Sequence, residues 1–239
     1  MANFTGRTTT NITLHLLIIN VILFAADGLL ERRGISLSDL LGLHYLDSEK
    51  FHWWQLVTYM FMHGSLTHLF NNMFSLYMFG RLLEMVWGEQ RFLLYYFVTG
   101  IGAGLVQQLA WSYELNNFIA QFATNDVFRQ QILQMSHVQL LEIDGVMNII
   151  NQLVTVGASG SVFGILLAFG MMFPNAEILL LIPPMPLKAK WLVIGYGAFE
   201  LLAGVYGIQT GVAHFAHLGG MLFGFLLILL WKNHRNYEF

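Results

Sequence analysis

Apolar runs on the scale of a bilayer crossing recur along this chain, and they constrain it more than any other feature. The first lies near residues 11–27 and the last near residues 213–231. Lipid offers no partner to a backbone N–H or C=O, so a run that enters the hydrocarbon must close its hydrogen bonds within itself as a helix. Composition agrees: 56% of the 239 residues are hydrophobic and only 10% are charged, against roughly 25% charged in soluble proteins. Mean hydropathy is +0.59. The fold class this implies is an all-α membrane protein, one membrane-embedded domain over residues 1–239. Cysteine is absent, which excludes disulfides, thiolate nucleophiles and Cys-type metal sites. A formal net charge of −3 gives no reason to expect a nucleic-acid partner.

In chain order, the run from Ile12 to Ala26 is expected to remain as an uncleaved first span. Phe24 would fill the −3 position of a signal cleavage after Ala26, where a small residue is wanted. From Gly28 to Gln55 charges alternate with leucines, which suits an amphipathic element in the membrane interface, anchored by Trp53 and Trp54. A second span is expected at Leu66 to Met85 and a third at Phe92 to Trp111, with Gly100, Gly102 and Gly104 allowing close helix approach. Residues 112–151 break the apolar pattern and read as an extramembrane insertion acting as a cap, helical in part from Val127 to Leu141. A short fourth span at Ala158 to Phe173 is followed by Pro174, Pro183, Pro184 and Pro186, so that Ile178 to Ile182 is not a full span. The fifth lies at Trp191 to Tyr206 and the sixth at Ala213 to Trp231.

Basic residues orient this six-helix arrangement. With the amino terminus inside, Arg7, Arg81, Arg91, Lys188, Lys190, Lys232 and Arg235 fall on the inner side, against Arg32, Arg33, Lys50 and Arg129 outside, seven to four. Both termini are then cytoplasmic.

Polar groups inside such spans are expensive and call for a reason. Gly157-Ala158-Ser159-Gly160 opens the fourth span, and Ala216-His217-Leu218-Gly219-Gly220 opens the sixth. Ser159 is a nucleophile if a base reaches it. His217 is the better candidate base: Gly220 and Gly224 share its helix face and let another helix come close. Gly160 and Gly164 do the same for Ser159. His214, three residues earlier, competes for the role but lacks the glycine register and is expected in an exposed loop. No acidic residue lies near either motif in the sequence, which predicts a dyad. The N–H of Ser159, at a helix start, is suited to hold a developing oxyanion. His68 and Asn72 stand four apart on one face of the second span.

Together with His63-Gly64-Ser65-Leu66-Thr67-His68, Asn72 and Gly80-Arg81-Leu82-Leu83-Glu84, these motifs resemble the rhomboid family of intramembrane serine proteases, from about Trp53 to Trp231. The resemblance implies that Ser159 and His217 are catalytic and that His68 and Asn72 join Ser159 in the oxyanion hole. It also implies that Gly157, Phe163, Gly220 and Gly224 support them. Phe163 stands where the family often has a tyrosine against the catalytic histidine. Gln55 stands where it often has an arginine, so an ion pair made there is missing. The implied substrates are transmembrane proteins in the lipid bilayer, with no cofactor or metal, and the implied location is a multi-pass place in a bacterial inner membrane.

Blander readings stand beside these. Ser159 bonds a backbone carbonyl, His68 and Asn72 bond neighbouring helices, and the glycines only pack. Arg81 and Glu84 form a turn-end ion pair or cap carbonyls, and His63 bonds the first loop. Glu200, a carboxyl within the fifth span, bonds the insertion or a neighbouring helix. A rhomboid-like binding module without catalysis is the main alternative for the whole chain. A metal site or transporter built on His63, His68, His214 and His217 is the other.

Overall fold

In a computed structural model, residues 11–181, 184–207 and 213–233 are described, and nearly all regular structure is helical. Arg7, Arg235 and the Ile182–Pro183 pair lie outside the described residues. Helix α1 runs Ile12–Glu31, longer than the first apolar run. Its first amides, which have no partner within the helix, do not turn to water. Ile12 and Thr13 donate their N–H groups to the Glu84 carboxylate at 2.7 and 3.0 Å, and the Thr13 hydroxyl adds a bond of 2.6 Å. Glu84 therefore neutralises orphan amides at a helix start, where negative charge is favoured. Neither an ion pair to Arg81 nor a carbonyl cap is its role; Arg81 instead donates to the Tyr77 hydroxyl at 3.0 Å.

The amphipathic stretch holds a short helix α2, Leu37–Leu41, capped by Ser36, then strand β1, Leu43–His44, and helix α3, Gln55–Thr58. Gln55 ties it together. Its Oε1 accepts from the N–H groups of His44 and His52, and its Nε2 donates to the carbonyls of Leu40 and Lys50. It is completely buried. Where the resemblance implies a missing ion pair, Gln55 makes four hydrogen bonds to backbone.

Helix α4, Leu66–Ser75, starts on Ser65, whose hydroxyl accepts the His68 N–H at 3.1 Å. One π-helical stretch, Leu76–Gly80, joins it to α5, Arg81–Trp87. Helix α6, Glu89–Ala120, has 32 residues and runs past the expected end at Trp111. At 1.5 Å per residue it is about 48 Å long, well beyond a hydrocarbon core of about 30 Å. Its far end enters the segment read as an insertion. There α7, Asp126–Gln134, α8, His137–Leu141, and α9, Val146–Ile150, fold over a second core containing Tyr45, Leu115, Ile119, Ile132, Leu140 and Ile150. The stretch expected to be helical in part, Val127 to Leu141, holds two helices, because Ser136 starts α8 with a capping box to Gln139. This segment docks on the first loop through His137 Nε2 to Asp47 Oδ2 at 2.6 Å and Ser48 to Asn151 at 2.7 Å.

Strand β2, Val154–Thr155, pairs antiparallel with β1 and leads into α10, Ser159–Met172. The proline-rich connection is a hairpin: β3, Glu177–Leu181, pairs with β4, Pro184–Lys188. Helices α11, Ala189–Tyr206, and α12, His214–Asn233, complete the chain. Among the described residues three helices are long and apolar enough to cross a membrane, Ile12–Glu31, Glu89–Ala120 and His214–Lys232, and Ser159–Met172 is a shorter apolar helix. The main core, with Tyr59, Met60, Leu76, Phe92, Tyr95, Tyr96 and Ile165, lies where α4, α6, α10 and α12 meet.

Candidate active site

Helices α10 and α12 touch backbone to backbone. A Cβ on Gly220 would collide with the Gly160 carbonyl, and one on Gly164 would stand 3.0 Å from the Gly220 carbonyl. Gly224 makes similar room for the Tyr95 hydroxyl, which donates to the Gly164 carbonyl at 2.8 Å. Only glycine permits this approach, and it carries the first residue of α10 against the first turn of α12. The outcome is a single contact: His217 Nε2 lies 2.8 Å from Ser159 Oγ.

Gly157 bends the chain into α10 at φ +132°, where L side chains are strained. Its N–H donates to the Tyr59 carbonyl at 2.9 Å. A Cβ there would sit 2.8 Å from His68 Nε2, so the imidazole of α4 reaches the turn before Ser159 only because no side chain is present. Asn72 is buried one turn further on and donates from Nδ2 to the His68 carbonyl at 3.0 Å. That bond uses one of two amide hydrogens and leaves the second unspent. His63 stacks edge-on against His68 at 5.0 Å between centroids. It is buried, with neither ring nitrogen in a well-aligned hydrogen bond, and the backbone of Phe61 at the end of the first loop is the polar group beside it.

The ring of Phe163, one turn into α10, lies flat on the His217 imidazole, at 4.2 Å between centroids and 7° between planes. The other face of the histidine environment departs from expectation. His214 is not an exposed loop residue: it begins α12 and is 5% exposed. Its Nδ1 lies 2.6 Å from Glu200 Oε2 of α11, and the same oxygen is 2.9 Å from His217 Nδ1. Distance along the sequence therefore misleads about the acid, which reaches both histidines in space. Glu200 bonds a neighbouring helix, not the insertion. A cavity of about 430 Å³ opens beside His214, lined also by Gln107, Trp111, Glu114 and Asn117.

A metal alternative on His63, His68, His214 and His217 is not the grouping found. Among the described residues the cluster with metal-binding donors is Glu200, His214 and His217.

Serine, histidine and a helix N-terminus in this geometry are suited to acyl transfer. The chain is similar to known proteins. Rhomboid-like protein 11, chloroplastic, of Arabidopsis thaliana is 29% identical over 225 residues, covering 90% of this chain and 63% of its own length. Rhomboid protease AarA of Providencia stuartii is 26% identical over 186 residues, covering 75% of this chain and 56% of its own. Putative rhomboid protease YdcA of Bacillus subtilis (strain 168) is 28% identical over 189 residues, with 77% and 71% covered. The chain spans less than two thirds of the first two of these relatives. The Rhomboid domain family model matches residues 50–233, which takes in every residue of the site just described, and on that match this integral membrane protein belongs to the rhomboid family.

Proposed function

We propose that this chain is an intramembrane serine protease that hydrolyses peptide bonds in or near transmembrane segments of membrane proteins, close to the outer face of the bilayer. The observation that carries the reading is the 2.8 Å contact between Ser159 Oγ and His217 Nε2. As the hydroxyl attacks a substrate carbonyl carbon, His217 Nε2 takes its proton and the carbonyl oxygen becomes an oxyanion. The Ser159 N–H, aided by the α10 dipole, faces that charge, with His68 and Asn72 as side-chain donors. Collapse of the tetrahedral intermediate breaks the C–N bond, and His217 returns the proton to the leaving amine. Water then repeats the sequence on the acyl-serine, His217 acting first as base and then as acid, and the serine is restored. The atoms balance with serine, histidine and water, so no cofactor is invoked.

Helix α10 has 14 residues and spans about 21 Å. If its inner end meets the inner surface of a core of about 30 Å, Ser159 starts below the outer surface. Water then reaches it from the outer side. Substrate helices must expose one extended peptide, and their hydrogen bonds are costly to break in lipid. Segments weakened by Gly or Pro near the outer end, with a small residue at the cut, are therefore preferred. A six-span bundle in a bacterial inner membrane, both termini cytoplasmic and residues 112–151 an extramembrane cap, completes the reading; the seven-to-four basic bias and two bacterial relatives support it.

The test is a fluorophosphonate probe on purified protein. The wild type is expected to be labelled at Ser159, Ser159→Ala to lose both label and proteolysis, and His217→Ala to lose turnover. Undiminished cleavage by Ser159→Ala overturns the assignment.

A further inference from the structure

His217 faces Ser159 with one ring nitrogen, and its other nitrogen is buried. Nδ1 has no aligned hydrogen bond, although Glu200 Oε2 is only 2.9 Å away. The oxygen is near enough but off the line of the ring N–H, and it is also 2.6 Å from Nδ1 of His214. Glu200 is 4% exposed and His217 is 8% exposed, so bulk water has little access to either group.

The helix that carries Glu200 is shaped to bring it there. Gly197 and Gly204 lie three residues before and four after Glu200, on the same face of α11. A Cβ on Gly204 would stand 3.1 Å from the Phe215 ring and 3.4 Å from the His214 Cβ. One on Gly197 would stand 3.2 Å from Met221 Cε. The small face of α11 thus seats against α12 above and below the carboxylate and delivers it to the two histidines.

A neutral imidazole holds one proton, and the partner of one nitrogen selects which nitrogen carries it. We propose that Glu200 is a positioning residue for His217, so that the site works as a Ser159–His217–Glu200 triad braced by His214. The carboxylate accepts the His217 Nδ1–H, which keeps Nε2 unprotonated toward Ser159. It also faces the imidazolium that forms when Nε2 takes the hydroxyl proton. His214 donates its own Nδ1–H to the same oxygen and keeps the carboxylate from turning away. The inference rests on the protease reading above.

The same three groups place their donor atoms within 4.8 Å of one another, which raises a metal as the competing occupant. Two ligands on one tetrahedral zinc at about 2.0–2.1 Å stand roughly 3.3 Å apart. The 2.6 Å approach of Glu200 to His214 is a hydrogen-bond length instead.

The experiment uses the full chain in liposomes with a transmembrane substrate, comparing wild type, Glu200→Gln, Glu200→Asp and Ser159→Ala, each with its unfolding midpoint. Glu200→Gln, equal in size but able to turn a donor toward His217, is expected to lower kcat on the order of 100-fold or more. KM should stay within about twofold, and probe labelling of Ser159 should slow in step with kcat. Glu200→Asp should recover part of the loss. Wild-type kcat in Glu200→Gln overturns the proposal. So does an equal loss in both Glu200 variants with a lowered unfolding midpoint, which makes the residue merely structural. Activity that EDTA removes from the wild type and zinc restores assigns the cluster to a metal and overturns it as well. Cleavage by Ser159→Ala would instead sink the underlying protease reading, whatever Glu200 does.

Discussion

The Phe163 and His217 rings lie parallel, 4.2 Å between centroids and 7° between planes. A histidine on a helix start has χ freedom that catalysis must restrain, and a flat hydrocarbon face restrains it without a hydroxyl. Aromatic pairs of this kind contribute about 0.5–1.5 kcal/mol beyond area burial. Phe163→Leu is accordingly expected to lower kcat about 2- to 12-fold. Phe163→Tyr should keep the wild-type rate, since the ring remains. Steady-state turnover of a transmembrane substrate checks both, and an unchanged kcat in Phe163→Leu would leave the stacking without a role.

His68 reaches the turn before Ser159, and Asn72 lies one turn further along α4. If they hold an oxyanion, their bonds strengthen as charge develops and count mainly in the transition state. Either His68→Ala or Asn72→Ala should lower kcat about 10²- to 10³-fold with KM little changed. Binding lost in step with turnover would instead mark them as packing residues.

Glycines on these helices are not equivalent. Gly220→Ala forces a methyl into the Gly160 carbonyl and should separate the two helices. Misplacement of a reacting group by about 1 Å costs on the order of 100-fold in rate, and the unfolding midpoint should fall as well. Gly195, on α11, has nothing within 4 Å of the position a Cβ would take. Gly195→Ala should be neutral or stabilising by about 0.5–1 kcal/mol, through backbone entropy alone. Thermal unfolding in detergent separates the pair; equal midpoints would remove the close crossing as an explanation.

Gln55→Ala takes away an acceptor from two backbone N–H groups and a donor from two carbonyls in the first loop. With about 1–3 kcal/mol for each buried group left unmatched, the variant should unfold at a clearly lower denaturant concentration. Amide exchange at His44 and His52 should quicken, and protection equal to wild type would count against the tether.

Much of the candidate site was legible in the sequence, because its parts are local signals. The GxSG turn, the glycines at three and seven residues after His217, and the four-residue offset of His68 and Asn72 each lie within two helical turns. The span from Ala158 to Phe173 agrees with α10, Ser159–Met172, almost to the residue. Long-range partners were not legible. Glu200 faces the histidines because α11 packs on α12, and Glu84 caps α1 across a separation of 71 residues. Gln55 reads as the loss of an arginine until its four backbone partners come into view. Helix α6 passes Trp111 because Leu115, Ile119 and Ala120 give its far end an apolar face buried in the second core, although the polar residues between them suggest exit from a membrane.

The crossing of Gly160 over Gly220 bears on how the chain tolerates being rearranged. Ser159 is one residue from its half of the crossing and His217 three from the other, so the reactive atoms take their spacing from two short offsets. The hairpin and α11 that join the halves covalently are not the ruler. Lengthening the β3–β4 turn, or severing it and supplying the two pieces together, leaves the reference points untouched, whereas shifting either offset by one residue rotates a reactive group about 100° around its helix. Kinship to this design is therefore best sought in the paired short spacings, and the length of the hairpin between them is free to drift.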